Sequence, residues 1–181
     1  IFKMMIKRSF FTVLLLSFIL AACTPKFDWR EVRNSELPLR VLMPAKPSSF
    51  TREMRLDDMN VRLQMTAADV DQLSFAFAYA KLDNSDAANL GLNQEKLLTA
   101  LKTGMLKNIH ASQFEAGGAR HPKNTLVATG QSANGTKISM VARFFRHGPW
   151  VVQLVVMGNE KAMSPEVLDM YFGSLTLENE V

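Results

Sequence analysis

The chain alternates apolar and polar residues with a period of two over several short stretches, which is typical of β-strands with one buried face. Turn-forming residues at 57–60, at Asn134-Gly135 and at His147-Gly148-Pro149 separate neighbouring stretches and favour hairpins. We expect a type I′ turn at Asn134-Gly135. This dipeptide is a strong signal for the turn, because both central positions of a type I′ turn need positive φ. The predicted strands are 39–43, 51–56, 61–65, 73–80, 126–129, 136–146, 150–157 and 174–177.

The two faces of the predicted strand 73–80 differ in side-chain size. A leucine, two phenylalanines and a tyrosine form one face, whereas a serine and three alanines form the other. Because such small side chains let another element approach closely, we expect a helix to cover the alanine face. The segment 94–110 supplies this helix, since apolar residues recur there every four positions and Asn93 is a suitable N-cap.

Two further patterns complete the predicted secondary structure. The stretch 150–157 is apolar on both faces apart from Gln153, which is typical of a central strand covered on two sides. Ser164-Pro165-Glu166 predicts the start of a short helix, which Gly173 ends. The fold class expected is therefore α+β, a mostly antiparallel twisted sheet with one long and one short helix packed on it.

The first 23 residues carry a targeting signal. Lys3, Lys7 and Arg8 precede an apolar run at 10–20, and the run ends in Leu20-Ala21-Ala22-Cys23. This order resembles a bacterial lipoprotein signal. The resemblance implies a signal peptide over 1–22 and a Cys23 modified by a diacylglycerol thioether and an N-acyl chain such as palmitate. A membrane-spanning helix is the alternative, but the thirteen residues 10–22 cover roughly 20 Å of a hydrocarbon core of about 30 Å.

The residues after the cysteine indicate a location. Proteins of this class that stay in the inner membrane commonly have aspartate directly after the cysteine, and here that residue is Thr24. The resemblance therefore implies a lipid-anchored protein of the outer membrane that faces the periplasm, with the inner membrane as the alternative. Residues 23–38 predict a tether with a reach of roughly 20 Å. We expect Phe27 and Trp29 to dock on the domain, with the lipid interface as the alternative.

Length and charge limit the remaining possibilities. Residues 39–181 are enough for one domain with one core. The chain has 21 basic and 17 acidic residues. Removal of the predicted signal leaves 18 basic residues against 17 acidic ones, so the mature net charge is about +1. A nucleic-acid partner therefore has no electrostatic support.

The order of the predicted elements is similar to that of the Mog1/PsbP-like sandwich. The resemblance is carried by Val41-Leu42-Met43-Pro44, the helix after Asn93, the Asn134-Gly135 hairpin and the segment 171–177. Members of that superfamily serve mostly as binding and assembly modules, so the resemblance implies a binding role. It assigns no functional residue in this chain.

The sequence predicts no metal site and no cofactor. His110, His121 and His147 lack metal-ligand spacing, and the paired aspartates are typical of turns. A calcium site is the alternative for those pairs, but none of them begins the twelve-residue loop that would favour calcium binding. Nucleophile elbows and glycine-rich phosphate loops are absent from the sequence. Serine, histidine and aspartate can still converge from distant positions, so an enzyme stays an open alternative to the favoured non-enzymatic role.

A basic, partly aromatic patch is the remaining candidate site. Arg143, Arg146 and His147 end the predicted strand 136–146, whose odd-numbered residues we expect to face outward. If Arg120 and Lys123 lie beside them, the five residues could meet lipid phosphates or an acidic protein face. The alternative is a solvated strand end that limits edge pairing.

These features together predict a lipid-anchored lipoprotein of the cell envelope. Its domain is expected to be a non-enzymatic binding or assembly module for another envelope protein. One alternative is a small-ligand-binding or hydrolytic lipoprotein, which predicts a deep pocket with convergent polar groups. The other is a domain that binds phospholipid head groups through the basic patch.

Overall fold

The computed structural model describes residues 25–57, 59–83, 87–117 and 121–177. These residues form ten β-strands, two α-helices and a short 3-10 helix. The strands are β1 (Arg30–Asn34), β2 (Leu39–Met43), β3 (Ser48–Leu56), β4 (Met59–Val70), β5 (Leu73–Lys81), β6 (Gln113–Ala116), β7 (Thr125–Gln131), β8 (Lys137–His147), β9 (Trp150–Gly158) and β10 (Thr176–Leu177). The helices are α1 (Ala87–Asn108), the 3-10 helix (Glu160–Ala162) and α2 (Pro165–Gly173).

Within the described residues the strands form two antiparallel sheets. The large sheet has the order β3-β4-β5-β9-β8-β7-β6, and the small sheet has the order β1-β2-β10. Strand β9 lies between β5 and β8, and its first seven residues are buried, which confirms the predicted central strand. The fold is α+β with one long and one short helix, as the sequence predicts.

The first core lies between α1 and one face of the large sheet. Ala78 and Ala80 of β5 are each 1% exposed and lie in one cluster with Leu97 and Leu101 of α1. The small alanine side chains permit the helix to approach the sheet closely. The prediction that a helix covers the alanine face is therefore confirmed.

The second core lies on the opposite face of the large sheet, beneath the small sheet and α2. Its centre is Phe75, which meets the rings of Trp29 and Tyr171 edge-on, at centroid distances of 6.1 and 5.2 Å. Val141 and Phe145 of β8 also pack on this core. The prediction that the odd-numbered residues of β8 face outward is wrong for these two, because a second layer covers that face.

The domain begins earlier than the predicted boundary at residue 39. Strand β1 pairs with β2 along its whole length, and Leu37 in the connecting turn is fully buried. The tether prediction for 23–38 is therefore wrong for residues 30–38. Phe27 stacks on Trp29 with their centroids 5.6 Å apart, and both rings contact the second core. The predicted docking of these two aromatic residues on the domain is confirmed.

Two local predictions are wrong and one strand was missed, for identifiable reasons. Helix α1 begins at Ala87 and contains Asn93, because the residues before Asn93 are also compatible with a helix. Strand β6 was not predicted, since it is only four residues long and all four are exposed. In the β7–β8 loop, five residues lie between Gln131 and Lys137, the last paired residues of the two strands. Only Gly135 among these five has positive φ, at 82°, so the turn is not type I′.

The start of α2 confirms the sequence prediction. The Ser164 hydroxyl accepts a hydrogen bond from the Val167 amide at 3.3 Å, and Pro165 occupies the first turn. Hydrogen bonds from its own backbone amide and from Ser164 lower the pKa of Glu166 at this helix terminus.

Candidate functional site

An open groove of about 840 Å³ lies at one end of the large sheet, and we call it the end groove. Its walls are the β4–β5 turn, the β7–β8 loop, and the segment that joins β9 to the 3-10 helix. The polar residues that line it are Gln72, Ser132, Asn134, Thr136, Lys137, Asn159, Glu160 and Lys161. Side chains from three separate segments thus converge on one space.

The backbone of the end groove is held by close contacts. Asp71 and Gln72 both have positive φ, 51° and 64°, and form the two-residue turn between β4 and β5. Gly158 faces this turn with φ of 144°, and a Cβ there would lie 2.1 Å from the Gln72 carbonyl oxygen. Only glycine permits that approach, which lets the Asn159 amide donate to the same carbonyl at 3.2 Å.

Side chains reinforce the same contact. The Asn159 amide nitrogen Nδ2 donates to Gln72 Oε1 at 3.0 Å, and Asn159 Oδ1 accepts from the Lys161 backbone amide at 3.0 Å. Asn159 thus ties the β4–β5 turn to the 3-10 helix, so one wall of the groove has a defined geometry.

The charges around the end groove are largely paired. Lys137 Nζ lies 3.0 Å from Glu160 Oε2 across the groove, and Lys26 forms an ion pair with Asp71 behind the turn. The Lys137 and Glu160 side chains are 70% and 66% exposed, so this pair contributes little to stability. The lining thus offers amides, hydroxyls, the Lys137–Glu160 pair and the further lysine Lys161, which suit a polar, hydrogen-bonding partner.

The two arginines of the predicted basic patch lie on opposite faces of the large sheet. The Arg143 guanidinium lies over the Phe172 ring of α2, 4.7 Å from its centroid. Arg146 points to the other face and forms an ion pair with Glu95 of α1. Because alternate residues of a strand face opposite ways, three residues of separation cannot place both side chains on one surface.

The other members of the predicted patch are dispersed or lie outside the described residues. Lys123 is exposed in the turn before β7, and His147 is partly buried at the end of β8. The two segments are neighbours, since the Phe144 amide donates to the Asn124 carbonyl at 3.0 Å. Arg120 and Cys23 lie outside the described residues, so the structure gives no account of them.

Titratable side chains do not form a metal centre in the part of the chain that the structure describes. No group of three or more histidine, cysteine or carboxylate side chains is arranged there to hold an ion. Two of the predicted turn aspartates make local contacts instead. Asp69 accepts a hydrogen bond from the Ser74 hydroxyl at 2.5 Å, and Asp57 lies 3.1 Å from Lys96 Nζ.

A second concave feature lies between α1 and the large sheet, and we call it the α1 cavity. Its volume is about 190 Å³, and apolar side chains line most of it. Gln153 also lines the cavity, at a position 5% exposed, and its buried Oε1 atom has no hydrogen-bond partner among the described residues. Sequence reasoning missed this residue as a site, although the available signal was a single polar residue in an otherwise apolar strand.

Comparison of the chain with protein-family models and with curated proteins found no match. Among the described residues, no helix combines the length and the apolar content that a bilayer crossing requires.

Proposed function

We propose that this chain is a bacterial outer-membrane lipoprotein that is anchored by lipid on Cys23 and binds another envelope component at the end groove. The anchor is supported by the sequence Leu20-Ala21-Ala22-Cys23 after a charged and apolar leader. Several acyl chains on one cysteine would hold the protein on the membrane permanently, since each buried methylene contributes about 0.8 kcal/mol.

The observation that carries the choice of the end groove is the ion pair between Lys26 and Asp71. Asp71 belongs to the β4–β5 turn, which forms one wall of the groove through Gln72. Cys23 comes three residues before Lys26, and three residues span at most about 11 Å. Acyl chains on Cys23 would therefore enter the membrane close to the end groove.

This arrangement favours a domain that rests on the leaflet over one held away from it by a long spacer. The packing of Phe27 and Trp29 against the second core leaves no free chain between Lys26 and β1. A component at the membrane surface would thus meet the end groove first. The resemblance to the Mog1/PsbP-like sandwich, which remains a prediction, is compatible with such a binding role.

The anchor is tested by mass spectrometry of the native protein and of a Cys23→Ala variant. We expect the native N-terminal peptide to begin at Cys23 with the mass of a diacylglycerol and an acyl chain. The variant should lose both the modification and its recovery in the outer-membrane fraction. An unmodified or uncleaved native N-terminus would contradict the proposal.

The groove is tested by placing a photocrosslinking amino acid at Thr136 and, as a matched control, at Asn60. Both residues are exposed, but Asn60 lies at the opposite end of β4 from the β4–β5 turn. We expect irradiated cells to yield one defined envelope adduct from the Thr136 position only. Equal labelling from both positions, or none from Thr136, would argue against binding at the end groove.

A further inference from the structure

Strand β3 forms one edge of the large sheet, and among the described residues no strand pairs with its outer side. It is nine residues long and pairs with β4 at every position, whereas β6 at the other edge has four residues. Proteins commonly protect a sheet edge by a short edge strand, a bulge or a proline. β3 has none of these three, and its charged residues are of both signs, so they can pair with a second strand.

The hairpin geometry determines which backbone groups of β3 face outward. Leu56 pairs with Met59 across a connection of two residues, and a pair in that position exchanges both of its backbone hydrogen bonds. Because such pairs alternate along an antiparallel ladder, the even-numbered residues of β3 bond to β4. The amides and carbonyls that point to the free side therefore belong to Ser49, Thr51, Glu53 and Arg55.

An aromatic side chain is exposed on the same strand. Phe50 is 51% exposed and lies opposite Met65 of β4, on the side of the sheet that faces α1. A strand added beside β3 would place a side chain next to this ring and remove part of the ring from water, which favours association.

The sequence of β3 matches a second copy of itself in one register. A twofold axis that pairs two identical strands antiparallel gives opposite residues numbers of the same parity, so the axis passes through one residue. With Thr51 at the axis, Thr51 lies opposite its own copy and Ser49 lies opposite Glu53. These pairs carry the outward backbone groups, so each exchanges two hydrogen bonds. On the α1 side Phe50 lies opposite Arg52, whose guanidinium can stack on the ring.

The neighbouring registers are less favourable. An axis through Arg52 or through Glu53 places that residue opposite its own copy, and like charges directly opposite each other are destabilising. An axis through Phe50 or through Met54 leaves two hydrogen-bonded pairs within the strand, against three for Thr51. Charge and backbone pairing thus favour the same register.

We propose that two copies of this chain associate through β3, so that their large sheets form one continuous antiparallel sheet with Thr51 at the twofold axis. β3 contributes no residue to the lining of the end groove, so this proposal does not depend on the proposed function.

The test is sedimentation of the full chain in density-matched detergent micelles, in excess over the protein, which measures the dissociation constant of the dimer. We expect a concentration-dependent dimer for the wild type. Thr51→Pro should weaken it at least about tenfold, because proline removes the central donor from both copies. The variant should keep the near-UV circular dichroism of the wild type, since the Thr51 amide faces away from β4.

Two matched variants control for other effects of this substitution. Ala116→Pro makes the same change on the opposite edge, where the Gly117 amide donates to the Thr125 carbonyl at 2.7 Å and the Ala116 amide therefore faces away from β7. Thr51→Val removes the hydroxyl that donates to Gln64 Oε1 at 2.9 Å but keeps the amide. Both variants should dimerise within about twofold of the wild type.

Charges at Ser49 test the register. Ser49→Lys places a cation opposite Glu53 of the second copy, and Ser49→Glu places a like charge there. We expect about threefold to tenfold tighter association for the lysine variant and a similar weakening for the glutamate variant. Both lose the hydroxyl contact with Thr66, so the difference between them comes from the charge. With the axis at Arg52, Ser49 would lie opposite Arg55 and both effects would change sign.

Several outcomes would overturn the proposal. A wild type that stays monomeric at every concentration, or a dimer that a folded Thr51→Pro leaves intact, would show that β3 does not join two copies. Equal weakening by Ala116→Pro would show that the effect is not specific to this edge. If Thr51→Pro does not fold, the two Ser49 variants decide, since unchanged or reversed affinities would exclude the register with Thr51 at the axis.

Discussion

Two buried glutamines in this domain should respond in opposite directions to the same substitution. Gln153 and Gln94 are 5% and 6% exposed. The Gln94 amide nitrogen Nε2 donates to the Gly148 carbonyl at 2.8 Å, whereas Gln153 Oε1 has no partner in the part of the chain that the structure describes. Leucine at either position removes a polar amide and keeps a similar volume. Only at Gln94 does the substitution also remove a hydrogen bond.

The magnitudes follow from the cost of unpaired polar groups. An unsatisfied buried acceptor costs about 1–3 kcal/mol, so Gln153→Leu should raise the free energy of unfolding by about 1–2 kcal/mol. Gln94→Leu should lower it by about 1 kcal/mol or more, because one bond is lost and the Gly148 carbonyl loses its donor. With a urea m-value of about 2 kcal/mol per molar, the two midpoints should separate by roughly 1 M or more.

The assay is equilibrium urea denaturation followed by tryptophan fluorescence. Trp29 and Trp150, the two tryptophans of the chain, both contact the second core, so their emission reports the loss of tertiary packing. A lower midpoint for Gln153→Leu than for the wild type would refute the reasoning. It would mean that the Gln153 amide already contributes favourable interactions, and the case for an unmet acceptor would fail.

Three further perturbations test the fold. Gly158→Ala should lower the free energy of unfolding by about 2 kcal/mol or more, because its Cβ would clash with the Gln72 carbonyl at a positive φ; urea denaturation measures this. Burial raises the pKa of Tyr171, which favours the neutral phenol in the folded state. The contribution of Tyr171 ionisation to the free energy of unfolding is therefore constant below the unfolded pKa of about 10. Above that pH it falls, by at most about 1.4 kcal/mol per pH unit. Alkaline denaturation of Tyr171→Phe should have a shallower pH dependence, with a remaining slope from Tyr79, whose pKa burial also raises. Ser164→Ala removes the N-cap of α2 and should lower the melting temperature by a few degrees, equivalent to about 1 kcal/mol.

Elements with a strong difference between their two faces were predictable from the sequence. Strand β5 is the clearest case, since aromatic residues and alanines alternate along it, and the structure places the second core on one side and α1 on the other. The start of α2 was equally predictable, because Ser164 and Pro165 determine a helix start locally. In both cases the determining information lies within a few neighbouring residues.

Elements that depend on distant partners were not predictable. Strand β1 contains Val32 among four polar residues, and it is held by pairing with β2 and by the aromatic residues that precede it. Strand β6 has four exposed residues and is defined only by its pairing with β7. Hydrophobic periodicity reports burial, so it misses a strand whose stabilisation comes from backbone hydrogen bonds.

The candidate sites also depend on partners that are distant in sequence, so they were not predictable either. The basic patch was inferred from nearness in sequence, but strand alternation sends Arg143 and Arg146 to opposite faces. The α1 cavity needs Ala76 of β5 to face Ala100 and Gly104 of α1, and sequence patterns do not predict which residues of two elements meet. Gln153 is the polar exception in β9 by sequence, but only the structure shows that its Oε1 atom lacks a donor among the described residues.

The two faces of the large sheet are packed by different means, and this difference has consequences for function. On one face Phe75 is fixed by Trp29 and Tyr171, and such interlocked rings leave little freedom to rearrange. That face also holds the start of the domain, next to the proposed anchor. The face under α1 also contains alanines and methionines among its aliphatic residues, and around the α1 cavity these leave space that can adjust. The domain can thus keep a rigid attachment on one side and an adaptable cavity on the other.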